Sequence, residues 1–264
     1  MDLGIKDRVA IVSGASEGLG RAAALALAQE GARVTIGARR EDVLRAAADD
    51  IRRQTGAEVL AVPCDVSRPE DIRRIVRETL DRFGGRLDIL VNNAGGPPFG
   101  HPLELDDTQW ETGFDLTFRS VVRFCREVVP TMREHKWGRI VTITSTSAKE
   151  PIDGLTISNA MRPAVVGYLK TLSRRVAADG ILVNVVCPGA FLTQRHRDLL
   201  PKWAAELGCT PEEFLRQREA AIPAGRFGRP EEIGRVIAFL ASEAASYVTG
   251  ASLQVDGGLC RGLM

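Results

Sequence analysis

The run Val9–Ala10–Ile11–Val12, followed by Ser13–Gly14–Ala15–Ser16–Glu17–Gly18–Leu19–Gly20, constrains the chain more than any other stretch. Four apolar residues in a row predict a strand buried on both faces, which requires a sheet covered by helices on each side. The glycines after it permit a sharp turn. The alanine- and leucine-rich segment from Arg21 to Glu30 predicts a helix that stops at Gly31. Strand, glycine turn and helix start together aim free backbone N–H groups at one point, where the helix dipole also favours negative charge. A pyrophosphate suits such a point. A tight turn with no ligand would use the same residues. Its place at the head of an alternating strand–helix chain tips the reading towards a dinucleotide.

The alternation runs on to the end. Further strands are predicted at Arg33–Gly37, Val59–Val62, Leu87–Val91, Arg139–Thr144, Ile181–Val186 and Ser252–Val255. Helical periodicity falls between them, at Glu41–Gln54, Pro69–Arg82, one long region Thr108–Glu134, Ser158–Ala178 and Pro230–Ala241. Such a chain predicts the α/β class: one doubly wound, Rossmann-type domain with a parallel seven-stranded sheet and helices on both faces. At 264 residues and 44% apolar content it can bury a large core. No linker divides it, so residues 1–264 read as a single domain, with 190–225 as a polar, basic loop region over a substrate.

Charge and cysteine usage narrow the function. Thirty-five basic and 34 acidic residues nearly cancel, which gives no reason to expect nucleic acid or a membrane as partner. Cys64, Cys125, Cys187, Cys209 and Cys260 are scattered, as are His101, His135 and His196, so no metal site is expected. Reduced thiols and a charged amino terminus without a long apolar run suggest a cytoplasmic protein.

In a doubly wound sheet, ligands gather at the carboxyl ends of the strands. The second strand ends in Gly37–Ala38–Arg39–Arg40. Basic residues there accommodate a ribose 2′-phosphate, which argues for NADP. Glu17, in the glycine turn, points the other way and keeps NAD open. Asp65, with Val66 after it, can accept a hydrogen bond from an adenine amino group, or simply cap a turn. Asn92–Asn93–Ala94–Gly95 follows the fourth strand, where small residues let backbone approach a ligand and asparagines can tie strands together.

These pieces in these places resemble the short-chain dehydrogenase/reductase superfamily, and within it the 3-oxoacyl-acyl-carrier-protein reductases. The resemblance assigns cofactor contacts to Gly14, Ser16, Glu17, Gly18, Leu19 and Gly20. It adds Arg39, Arg40, Asp65, Val66, Asn92, Ala94 and Gly95, then Pro188, Gly189 and the nicotinamide-holding Thr193. It implies a homo-oligomer, commonly a tetramer, built through two long helices and the last strand.

The catalytic end departs from the family's Asn, Ser, Tyr and Lys. Ser145 keeps the serine. The tyrosine position falls on Ser158, the lysine position on Arg162 and the asparagine position on Asp115. A serine is a far weaker acid than a phenol and is shorter. An arginine keeps positive charge and can bond a ribose, but it does not shuttle protons. Tyr168 lies further along the same predicted helix and turned away, and Tyr247 reads as core or interface. Lys149, Glu150, Asp153 and His196 are candidate substitutes as proton donor. Arg195, His196, Arg197, Lys202, Arg216 and Arg218 make the loop region basic. The expectation is an NAD(P)-dependent oxidoreductase, NADP by preference, acting on a carbonyl or alcohol with an atypical proton donor. The alternative is a non-redox enzyme, an isomerase or lyase, or a cofactor-binding protein on the same fold.

Overall fold

The first strand, β1 (Val9–Ser13), is buried along its whole length. Its side chains alternate between two cores: Ala10 and Val12 face one, Val9 and Ile11 the other. This is why its sequence is continuously apolar. The computed structural model describes residues 2–262, apart from 195–196, 198–199, 202–203 and 206. In chain order β1 is followed by α1 (Gly18–Gln29), β2 (Arg33–Ala38), α2 (Glu41–Thr55), β3 (Val59–Pro63), α3 (Pro69–Arg82) and β4 (Ile89–Asn92). Then come α4 (Asp107–Phe114), α5 (Ser120–Glu134), β5 (Gly138–Ile143), α6 (Thr156–Val176), β6 (Ile181–Pro188), α7 (Pro211–Ala220), α8 (Pro230–Leu240) and β7 (Ser252–Val255).

The strands form one sheet in the order β3-β2-β1-β4-β5-β6-β7, and every pairing is parallel. On one face α1, α2 and α8 contribute Leu27, Leu44, Ile51, Ile233 and Ile237. On the other, α3, α5 and α6 contribute Ile72, Ile75, Phe124, Val128, Val165 and Leu169. Each such fully buried side chain stabilises the fold by roughly 1.5–3 kcal/mol relative to exposure. The chain order reverses between β1 and β4, and the crevice there is where a doubly wound fold takes its ligand.

Two boundaries differ from the sequence pattern in ways that bear on the site. The long helix expected from Thr108 to Glu134 is broken. Between α4 and α5, Asp115–Arg119 forms a π turn, and the Ser120 N–H donates to the carbonyl of Asp115. The wider turn holds an extra residue, which rotates everything after it by roughly 100° relative to an unbroken helix. A periodicity read over 27 positions blurs such a slip. Second, Asn92 belongs to β4 and pairs in register with Thr142, so the polar site begins inside the ladder. Tyr247, expected in core or interface, is fully exposed in the single chain. No described helix is long and apolar enough to cross a membrane.

Candidate active site

The turn after β1 is built by close approach. Gly14 and Gly18 adopt φ of 57° and 59°. A Cβ on Gly14 would lie 2.8 Å from Nδ2 of Asn93, and one on Gly20 2.3 Å from the carbonyl oxygen of Gly14. Asn93 fastens this turn to the chain leaving β4. Its Nδ2 donates to the Gly14 carbonyl at 2.9 Å, and its N–H donates to Ser13 Oγ at 2.9 Å. Ser13 Oγ in turn donates to the Asn93 carbonyl at 2.7 Å. The doublet Asn92–Asn93 was visible as a tie. The role of Ser13 was not, because a hydroxyl ending an apolar run carries no signal of its own.

The helix that follows has no side-chain cap and no acid in its first turn. Its opening N–H groups, at Gly18, Leu19 and Gly20, have no helical carbonyl to bond and form the positive end of the dipole. Ser16 and Glu17 lead into that turn. The Glu17 carboxylate does not cap it. Glu17 Oε2 instead meets Nη2 of Arg40 at 2.5 Å, with both side chains about half exposed. Arg39 and Arg40 both stand exposed at the end of β2.

The other sequence-predicted contacts converge from neighbouring strands. Asp65 accepts at one oxygen from the N–H and the Oγ of Ser67, at 3.0 and 2.7 Å, an Asx turn at the end of β3. Val66, Asn92, Ala94 and Arg162 line one small cavity with Ser13 and Thr117. Gly95 is exposed beside it. Pro188 ends β6 against Val255. At Gly189 a Cβ would meet Asp256 at 2.6 Å, and Thr193 lies over the glycine turn, 3.5 Å from where a Cβ on Gly18 would sit. The turns after β1 and β6 therefore face each other across the crevice. A second cavity, about 170 Å³, opens where the chain leaving β6 meets the chain leaving β7, lined by Ala190, Phe191, Arg226, Glu232 and Asp256 among others.

The catalytic candidates fall into two groups. Ser145, Ser158 and Arg162 come together at the end of β5 and on α6. Ser158 is buried, and its Oγ shares a hydrogen bond with Ser147 Oγ at 2.9 Å. Ser145 Oγ accepts from the Ser147 N–H at 3.1 Å, capping a short 3₁₀ turn. Ser147 links the two but was missed in the sequence, because only this turn brings it round. Arg162 is 9% exposed and donates from Nη1 to the Ile143 carbonyl at 3.0 Å. Burial pushes its guanidinium down to about 10, with only the Cys187 thiol opposing, so it remains a cation at neutral pH.

Asp115 does not join this group. Its carboxylate accepts from Arg119 Nη1 at 2.9 Å and lies 3.7 Å from Arg123. Tyr168 packs edge-on against Phe118 on the α5 side, and burial raises its phenol well above the ordinary value. Asp153 lies 3.7 Å from His101 at the surface. Lys149 is partly buried, and Glu150 is exposed and accepts from the Arg261 N–H. Arg195, His196 and Lys202 lie outside the described residues, while Arg197, Arg216 and Arg218 are exposed. No group of three His, Cys, Asp or Glu among the described residues could hold a metal.

A doubly wound sheet whose first turn is a glycine cradle at an uncapped helix start defines a dinucleotide-binding fold. Comparison with known proteins narrows this class. The family model described as enoyl-(acyl carrier protein) reductase matches residues 14–260. A 3-oxoacyl-[acyl-carrier-protein] reductase from Synechocystis is 34% identical over 256 residues, 96% of each chain. The structure of L-sorbose reductase from Gluconobacter frateurii, complexed with NADPH and L-sorbose, superposes with a TM-score of 0.96 at 35% identity over 100% of both chains. A variant of actinorhodin polyketide ketoreductase with NADPH gives 0.92 at 34% identity, covering 97% of this chain and 98% of that one. The chain belongs to the short-chain dehydrogenase/reductase superfamily.

Proposed function

We propose that the protein is an NADP-dependent oxidoreductase that interconverts a carbonyl and its alcohol, similar to the 3-oxoacyl reductases, with a proton donor other than a phenol. The observation that carries the reading is the glycine cradle. Gly14 and Gly20 leave no room for a Cβ, and Gly18 holds a left-handed φ of 59°, against an uncapped helix start. The NADPH complexes of the two structural relatives support the same cofactor here. The residues present fit it. The turn from Gly14 to Gly20 would hold the pyrophosphate, Arg39 and Arg40 the 2′-phosphate, Asp65 and Val66 the adenine, and Arg162 the nicotinamide ribose. Asn92, Ala94, Gly95, Pro188, Gly189 and Thr193 would close the crevice around the rest.

When bound, the nicotinamide supplies hydride to the carbonyl carbon. Ser145 would orient the carbonyl and polarise it with its hydroxyl. Ser158, held behind by Ser147, is too short and too weak an acid to replace a phenol, so the alcohol's proton comes from water in the crevice. Asp115 takes no part in this step, because Arg119 and Arg123 hold its carboxylate. Exposed Phe99, Leu103 and Ile152 favour a carbonyl on an apolar chain. They flank loops joined by the Gly100 N–H and the Gly154 carbonyl. Residues 190–225 would cover the substrate. The reading includes a cytoplasmic setting, and a homotetramer in which exposed Tyr247, Leu253 on β7 and Phe239 on α8 pack against further copies of the chain. NADPH oxidation with a panel of ketones and 3-oxoacyl thioesters tests the activity. Turnover with one of them is expected. Tight NADPH binding without turnover, or substrate conversion with no dinucleotide, would overturn it.

A further inference from the structure

The loop that leaves β3 holds Asp65 in a frame of short-range bonds. Asp65 Oδ1 accepts from the N–H and the Oγ of Ser67. The Arg68 N–H donates to the Asp65 carbonyl at 3.0 Å, and the Asp65 N–H donates to Asp71 Oδ2 at 2.9 Å in the first turn of α3. One further bond comes from a distant element. Arg123, on α5 and 56 residues from Ser67, donates from Nη1 to the Ser67 carbonyl at 2.7 Å. Among the described residues it is the only hydrogen bond to residues 65–68 from beyond the loop and α3. The Arg123 side chain is 19% exposed, so this charge-assisted bond is largely shielded from water. The same guanidinium is held from its other side, where Nη2 lies 3.7 Å from Asp115 Oδ1. In an unbroken helix residues i and i+8 diverge by roughly 80°. The π turn takes up one extra residue, which returns Arg123 to the face that Asp115 occupies.

We propose that Arg123 is a positioning residue for Asp65, and that Asp115 holds Arg123 in place to do so. Ser67 is the joint between them. Its N–H and hydroxyl fix one oxygen of Asp65, while its carbonyl is fixed by Arg123. Oδ2 of Asp65 is then the oxygen left for the amino group of an adenine. Without Arg123, Ser67 and the carboxylate it steadies are tied only to their near neighbours in the chain. Asp115 thus serves the adenosine end of the crevice, from a π turn that lies on the way to its other end.

This role rests on the reading of Asp65 as an adenine contact. Hydrogen exchange on the full chain without nucleotide reads the loop directly. The Ser67 amide should exchange roughly threefold faster or more in Arg123→Met than in the wild type, with the amides of β1 unchanged. Calorimetry then compares NADPH with its hypoxanthine analogue, in which an oxo group replaces the amino group that Asp65 would accept from. The wild type should prefer NADPH roughly tenfold or more, as a hydrogen bond to a charged group implies. Arg123→Met should reduce that preference to about threefold or less, mainly by weakening NADPH. Arg123→Lys, which keeps a cationic donor, should restore most of it, and Asp115→Asn should give a smaller loss in the same direction. Equal weakening of both nucleotides in Arg123→Met, an unchanged preference, or unchanged exchange at Ser67 would overturn the role. A wild type that binds both nucleotides equally well would overturn it too, and leave the cofactor reading standing. A wild type that binds neither would bring down the proposed function as well.

Discussion

The two halves of the crevice hold themselves together differently. Around β1 the walls are backbone, glycines packed close with N–H groups left open at a helix start, and only Ser13 and Asn93 add side-chain ties. Around β5 and α6 the walls are side chains, and these leave Arg162, Asn92 and Thr117 with buried atoms unpaired. Backbone sites tolerate little change, because a Cβ collides with main chain that has nowhere to go. Side-chain sites can exchange one residue for another and keep the fold.

The contrast breaks most sharply at Gly20→Ala. The added methyl would sit 2.3 Å from a carbonyl oxygen. A loss of about 3 kcal/mol or more in chemical denaturation, with no measurable NADPH binding, is expected. A stable, binding-competent variant would show the cradle to be less rigid than argued. Arg162→Met tests the other half. Replacing a buried, carboxylate-free cation by an apolar side chain is often neutral or stabilising, so thermal unfolding should show an unchanged or higher Tm. NADPH affinity should fall roughly tenfold through loss of a charge-assisted contact. A Tm drop equal to that of Gly20→Ala would erase the distinction between the halves.

Smaller effects sharpen the picture at the adenosine end. Glu17 neutralises Arg40, so a 2′-phosphate must displace it. Glu17→Gln should tighten NADPH binding by roughly threefold, within the range of exposed ion pairs, and leave NADH unchanged. Equal gains for both nucleotides would mean that the pair does not face the 2′ position. Smallest is a pH effect at Glu232. Hydrogen bonds from Arg226 and the Arg229 N–H hold its carboxyl down at about 2. Its folded value lies below its unfolded one, so its contribution is present above about pH 4.5 and fades as pH falls towards 2. Glu232→Gln should therefore lower Tm slightly at pH 7, with the difference from wild type vanishing near pH 2. A constant difference across that range would assign the effect to packing.

Much of this was legible in the chain itself, and the limits follow the same division. The seven strands, their parallel order and the glycine cradle could be read because apolar runs and glycine turns report backbone geometry directly. Asp65 and Asn93 stood at strand ends where a doubly wound sheet gathers its ligands. Position along the chain could not show that Glu17 and Arg40 pair, since their side chains meet only once two turns are brought together. Asp115 and Arg119 do stand at the i, i+4 spacing of a helical ion pair, but the π turn that contains them, which resets the helical phase, left no such signal. Thr117 looked like one more helix residue for the same reason.

The fastening of β1 to the chain leaving β4 has a consequence for how the protein comes to exist. Ser13 and Asn93 are 80 residues apart, and β4 is in turn the foundation on which β5, β6 and β7 are laid. During synthesis the amino-terminal third can gather β1, β2 and β3, but its glycine turn has no opposing wall. The capacity to hold a nucleotide thus waits on a long-range closure of the kind that slows folding.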